Sequence, residues 1–348
     1  VGDRKDGSPP LRAGSVGRVP IRAADRKLVK HSLLPDLRLP LVVEPAVSGV
    51  DLAAWAEGNR SWIEERLEAP GAVLFRGFGI RSMEAFQSVI AATARGSLLE
   101  YSYASTPRTA VGGGVYTSTE YPDDQFIPLH NEMSYARNWP MKAWFYCERP
   151  AVSGGETPLA DSRRVFQGIP AEIRDRFLSR DVLYVRNYGG RLDLDWQTVF
   201  RTPHPVEVEA YCRRAGIELE WRGGGRLRTR QRCQAVATHP RTGERVWFNQ
   251  AHLFHISSLA SSAREILLSE LAEDDVPRNA YYGDGSPIEE GVLDEIRAVY
   301  DRETQRFRWR EGDILMVDNM LVAHGRTPFQ GPRRLLVGLA EPFSGGAV

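Results

Sequence analysis

Apolar residues in this chain recur with two different periods, and the change between them divides it. Leu52, Trp55, Trp62, Ile63 and Leu67 fall at roughly helical spacing behind Asp51, a suitable cap, so a helix is expected over about 51–68. Before it, Leu41-Val42-Val43-Glu44 reads as a strand; after it, Gly71 to Phe78 is an apolar run bounded by glycines and reads as a buried one. A second helix is expected over about 83–94. From Tyr116 the pattern turns to strand and turn, with strands expected at 116–119, 127–133 and 143–147. Helices return near 162–166 and 170–178, the second with Pro170 in its first turn. Further strands are expected at 182–187, 234–238, 245–249, 313–318 and 334–339, with helices near 262–272 and 288–304 among them. Many strands around inserted helices, without regular βα alternation, predict a mixed α+β fold: a double-stranded β-helix (jelly-roll) core with surrounding and inserted helices.

Length and charge narrow the partners. Residues 1–38 are expected to be a flexible tail and 39–348 a single domain, with a lid-like insertion at about 181–230. Lys plus Arg equals Asp plus Glu at 45 each, with no long block of one sign, which argues against nucleic acid or an anionic membrane as the main partner. A small-molecule substrate is the expectation, and an oligomer is left open. No stretch approaches the ~20 consecutive apolar residues that span a bilayer, and Val1 to Arg26 holds no apolar signal core. Cys147, Cys212 and Cys233 form no CxxC pair, which fits reduced thiols in a cytoplasm.

The chemistry is concentrated in two distant segments, Leu129-His130-Asn131-Glu132 and Val322-Ala323-His324-Gly325-Arg326, the latter followed by Pro332-Arg333-Arg334. In an extended strand, residues i and i+2 share a face, so His130 and Glu132 are expected to point together and a second strand need deliver only His324. Two His and one carboxylate occupy one face of an octahedron, the arrangement typical of non-haem Fe(II) oxygenases.

These segments, with Gly154-Gly155-Glu156-Thr157, resemble the taurine dioxygenase-like (TauD/TfdA) superfamily of Fe(II)- and 2-oxoglutarate-dependent oxygenases, over about residues 70–342. The resemblance implies that His130, Glu132 and His324 hold the iron, Glu132 standing where many members carry Asp. It implies that an Arg about ten residues beyond the second His grips 2-oxoglutarate, and that Thr157 assists on the same carboxylate. A guanidinium offers two parallel hydrogen bonds that Lys cannot. Arg333 and Arg334 face opposite sides of a strand, so only one enters the site; Arg334 is favoured, being ten residues after His324 and sharing its face with Leu336. Arg326 is judged too near the metal.

The implied reaction consumes O2 and 2-oxoglutarate, releases succinate and carbon dioxide, and hydroxylates an unactivated C–H bond. Taurine-specific members carry an Arg four residues beyond the 2-oxoglutarate Arg, where this chain has Gly338, so taurine is not the expected substrate. Arg108, Tyr116 to Glu120, Arg186-Asn187-Tyr188 and Trp247 to Gln250 lie in segments that look like the branch containing the syringomycin-pathway aspartate hydroxylase. That likeness points to an amino-acid substrate, free or tethered to a peptidyl carrier protein, in natural-product biosynthesis. Glu120, Asn131, Arg186, Asn249 and His252 are the candidate substrate contacts, with Arg186 and Glu120 as partners for the two charges of an amino acid. Desaturation, epoxidation or cyclisation would begin from the same cofactors. Halogenation is disfavoured because Glu132 fills the position a halide needs, and the complete ligand set argues against a metal-free binding module.

Overall fold

The computed structural model describes residues 25–96, 98–99, 108–118, 121–189 and 194–345. Its largest element is an eight-stranded sheet in the order Val29–Leu33, Leu41–Pro45, Ala72–Phe75, Ile314–Asp318, Asn138–Arg149, Arg334–Ser344, Val115–Thr117, Ala110–Gly112. Every pairing in it is antiparallel except that of Leu41–Pro45 with Ala72–Phe75. A four-stranded antiparallel sheet, Gln305–Phe307, Thr157–Asp161, Val322–Arg326, Ile127–His130, packs against it.

The central strands of the large sheet are apolar at consecutive positions, which is the mark of strands buried on both faces. Odd-numbered Met141, Ala143, Phe145, Cys147, Leu315, Val317, Leu335 and Val337 meet Leu159, Phe307 and Val322 of the smaller sheet in one core. Even-numbered Trp144, Tyr146, Ile314, Met316 and Leu336 point the other way, into a core closed by helices. Those helices are Leu52–Gly58, Arg60–Glu68 and Met83–Thr93, the first capped by Asp51 and the third by Ser82. The single helix expected over 51–68 is therefore two, broken where the Asn59 amide turns back to donate to the Trp55 carbonyl at 2.9 Å. A buried two-pronged pair between Arg76 and Asp313 ties strand Ala72–Phe75 to the turn before Ile314.

A third sheet, Glu218–Arg222, Arg226–Cys233, Val182–Tyr188, Arg278–Tyr282, covers the far face of the smaller sheet. Its core takes in Leu129, Ala160 and Ala323, the residues of that sheet that point away from the large one. Two expectations are corrected. The segment 25–38, read as tail, contains strand Val29–Leu33 paired to Leu41–Pro45; its residues are mostly exposed, so it carries no apolar alternation to betray it. The insertion beginning near 181 does not close on itself by 230, because its sheet is completed by Arg278–Tyr282.

Candidate metal centre

His324 and His130 sit directly opposite each other on adjacent antiparallel strands, their ring centroids 4.8 Å apart. Both face the interior between the sheets, since Ala323 and Leu129 beside them belong to the opposite core. The carboxylate arrives differently from the expected strand. Ile127–His130 ends at His130, and Glu132 stands in a turn whose next residue, Met133, has φ 57°. A left-handed residue there is costly without a glycine, and surrounding bonds must hold it.

Those bonds come from Asn319. Its side-chain oxygen accepts from Glu132 N at 2.7 Å, and its amide donates to the carbonyls of Glu132 at 2.9 Å and Pro140 at 2.8 Å. Asn131 adds a bond from its own amide to the Asn319 carbonyl at 2.7 Å. The ligand atoms of His130, Glu132 and His324 consequently all lie within 4.8 Å of one another.

The protonation states suit a metal. His130 Nδ1 lies 2.8 Å from the Pro128 carbonyl, so the proton belongs on Nδ1 and the Nε2 lone pair is free to coordinate. Burial, with the nearby His324, pushes His130 down to about 4, keeping the ring neutral at ordinary pH. Burial alone would raise Glu132, but Arg108, His324 and His130 together outweigh it and hold the carboxyl well below the usual carboxylate range. Arg108 meets Glu132 at 2.6 Å, and His324 Nε2 lies 3.3 Å from the same oxygen. Two imidazoles and an ionised carboxylate on one side of a cleft fit Fe(II) and leave its other side open.

Beside the ligands, the cleft is lined by Ser118, Phe145, Thr157, Arg333, Leu335 and Val337. Thr157 faces it while accepting a 3.0 Å bond from the Trp309 indole. Of the two adjacent arginines it is Arg333, not Arg334, that enters. Arg334 turns outward and pairs with Glu148 at 2.7 Å. Sharing a face with Leu336 does not place Arg334 in the site, because Leu336 belongs to the helix-covered core, whereas Leu335 and Val337 face the cleft. Arg333 lies against Gly155, accepting room that only a glycine provides: a Cβ there would sit 3.0 Å from the Arg333 side chain. Arg333 donates to the Gly155 carbonyl at 3.2 Å, and burial, with Arg326 nearby, pushes it down to about 10. Arg326 is spent on the backbone, donating to the carbonyls of Tyr121, Pro122 and Gln125.

A larger cavity of about 270 Å³ opens on His130 and Glu132, walled by Phe126, Met133, Tyr135, Leu253, Phe254 and Arg278 among others. The four described residues among the expected substrate contacts do not reach it. Asn131 is buried against Asn319 and Ser162. Asn249 bridges the Ala235 carbonyl and Ala251 N, and His252 stacks on Tyr300 with Nε2 3.2 Å from the Leu129 carbonyl. Arg186 is buried over Tyr135 and Tyr188. Glu120 lies outside the described residues. Each of the four is held by neighbours behind the cavity wall, and no described residue of 181–230 lines it. Sequence reasoning did not single out Asn319 or Arg278, and quoted Arg108 without giving it a role; an Asp-Asn pair closing an apolar strand at 318–319 was the available signal for the first.

Comparison with known proteins agrees with this geometry. The chain is 42% identical over 280 residues to the dapdiamide synthesis protein DdaC of Enterobacter agglomerans, covering 80% of this chain and 85% of that protein. It is 30% identical over 320 residues to the clavaminate synthase-like protein At3g21360 of Arabidopsis thaliana, covering 87% and 93%. Its fold is similar to that of PvcB from Pseudomonas aeruginosa, with a TM-score of 0.54 at 16% identity over 90% of this chain and 92% of that one. PvcB is described as an Fe, alpha-ketoglutarate dependent oxygenase from an isonitrile synthetic pathway. Among the described residues no helix is long and apolar enough to cross a membrane. The family model for the taurine catabolism dioxygenase TauD, TfdA family matches residues 35–340, and the chain belongs to that family of Fe(II)- and 2-oxoglutarate-dependent oxygenases.

Proposed function

We propose that the protein oxidises an unactivated C–H bond of an amino acid or amino-acid-derived substrate, free or carried on a peptidyl carrier protein, most simply by hydroxylation. The observation that carries this reading is the 270 Å³ cavity, apolar over most of its wall, opening directly on His130 and Glu132. Likeness to a protein of dapdiamide synthesis over most of the chain supports an amino-acid-derived substrate.

In this reading the two facing sheets are the jelly roll, and His130, Glu132 and His324 hold Fe(II). Arg333 grips the distal carboxylate of 2-oxoglutarate, with Thr157 beside it. Bound iron and 2-oxoglutarate supply, with O2, an oxidant able to attack a C–H bond. The chain's part is position and dryness: Asn319 fixes the turn that aims Glu132, and Phe145, Leu335 and Val337 keep water from the cleft. Three unpaired buried thiols fit a reducing compartment such as the cytoplasm.

Taurine is not the expected substrate. Four residues beyond Arg333 stands Val337 and four beyond Arg334 stands Gly338, neither able to hold a sulfonate. Gly338 is also closed in, since a Cβ there would meet Ile90 at 2.5 Å. Succinate formation by iron-loaded protein, screened over free amino acids, carrier-bound aminoacyl thioesters and taurine, tests the proposal. Turnover in one of the first two groups is expected; turnover confined to taurine or another sulfonate contradicts it.

A further inference from the structure

Arg278 occupies an unusual place in the molecule. It lines the 270 Å³ cavity beside the metal ligands and also a second cavity of about 240 Å³, whose walls include Leu253, Ile256, Leu259 and Leu267. The two spaces share Phe254, and the Arg278 guanidinium stands 5.7 Å from the centre of that ring. No described carboxylate pairs with it. Glu132 is the one carboxylate among the described residues lining the larger cavity, and it is the candidate metal ligand.

The sheet register sharpens the point. Arg278 is directly opposite Arg186 on the neighbouring antiparallel strand, so the two guanidinium groups share one face. Arg186 lies buried behind Tyr135, a wall residue of the cavity, whereas Arg278 lines the cavity itself. An anion seated against Arg278 would take a charge-assisted hydrogen bond at the rim of the cavity.

Taking the oxygenase reading above as its basis, we propose that Arg278 is the specificity-determining anchor for a carboxylate of the substrate. The substrate would lie with its apolar part against Phe254 and Leu253 and its reacting carbon toward His130 and Glu132. The role assigned to Arg186 by sequence thus passes to its partner across the strand, which reaches the cavity where Arg186 does not. Such an anchor selects a substrate whose carboxylate is free over a carrier-bound thioester.

The test compares the twenty free amino acids and their N-acetyl derivatives with the matching primary carboxamides, reading succinate formation by the iron-loaded full chain. The absorption band that appears when 2-oxoglutarate is added anaerobically to the wild type is recorded first. A missing band overturns the oxygenase reading itself. With the band present, at least one acid is expected to be turned over and its carboxamide not. Arg278→Gln should then raise KM for that acid on the order of ten- to a hundredfold, with a smaller change in kcat, and Arg278→Lys should recover part of the loss. Because Arg278 is exposed, thermal unfolding of both variants should match the wild type. Equal turnover of acid and amide, an unchanged KM in Arg278→Gln, or turnover confined to carrier-bound thioesters overturns the anchor while leaving the oxygenase reading in place; so does a band with no acid turned over.

Discussion

Strand Arg226–Cys233 of the third sheet and the surroundings of the candidate metal centre are both rich in arginine, and they treat it in opposite ways. On strand Arg226–Cys233, three of the four arginines are answered by carboxylates: Arg228 meets Asp275 at 2.7 Å, Arg230 meets Glu220 at 3.3 Å and Arg232 meets Asp181 at 3.0 Å. In the cleft, Arg333 has a backbone carbonyl from Gly155 and the like charge of Arg326 nearby, and Arg278 at the rim of the larger cavity pairs with no described carboxylate. A protein that pairs its cations on one strand and leaves two without a described carboxylate beside the candidate metal centre has places there for anions. The anions this family brings are 2-oxoglutarate and, by the proposal above, the substrate.

The largest effects should come from the ligands, where the contrast begins. His130→Ala and His324→Ala each leave two donors, and iron affinity in equilibrium titration should fall on the order of a hundredfold or more, with turnover lost and the circular dichroism spectrum kept. Wild-type affinity in both variants would remove the metal assignment. Asn319→Ala touches no ligand atom but removes three bonds that hold the Glu132 turn and the strand beside it. Iron binding should weaken by about ten- to a hundredfold, the usual cost of losing a group that orients a ligand, in the same titration.

A smaller effect separates packing from chemistry behind the cavity wall. Burial pushes His252 down to about 3. Below its ordinary value of ~6.5 the unfolded chain binds a proton that the folded chain refuses, so its stability contribution is complete above that pH and is lost as pH falls toward 3. Urea unfolding of metal-free protein at pH 7 and pH 5 should show His252→Phe sparing about 2 kcal/mol of the acid loss, the ring stack on Tyr300 being retained. The smallest effect is expected at Arg334, whose side chain is 55% exposed beside Glu148. Arg334→Ala should change unfolding free energy by less than about 1 kcal/mol in the same assay, as exposed pairs do.

How much of this was legible in the sequence follows from which physics each feature uses. The ligands His130, Glu132 and His324 were readable because metal chemistry needs those residue types, and the structure brings all three together. The turn that presents Glu132 was not, since it depends on Asn319, far along the chain. The arginine was misread for a local reason: the final strand is apolar on both faces, so an apolar neighbour could not say which face holds the cleft. Arg278 was invisible because its meaning comes from a strand pairing across some ninety residues with Arg186. Strand Val29–Leu33 escaped because exposed residues carry no alternation.

The central claim, that the cleft is built for 2-oxoglutarate at Arg333, is tested most directly by anaerobic titration of 2-oxoglutarate into iron-loaded Arg333→Lys and Arg334→Lys, followed by the absorption band of the complex. Losing the two-pronged grip at Arg333 should weaken binding by ~1.5–3 kcal/mol, about ten- to a hundredfold, while Arg334→Lys stays within about twofold of the wild type. A wild-type dissociation constant in Arg333→Lys together with a weakened one in Arg334→Lys would contradict the account.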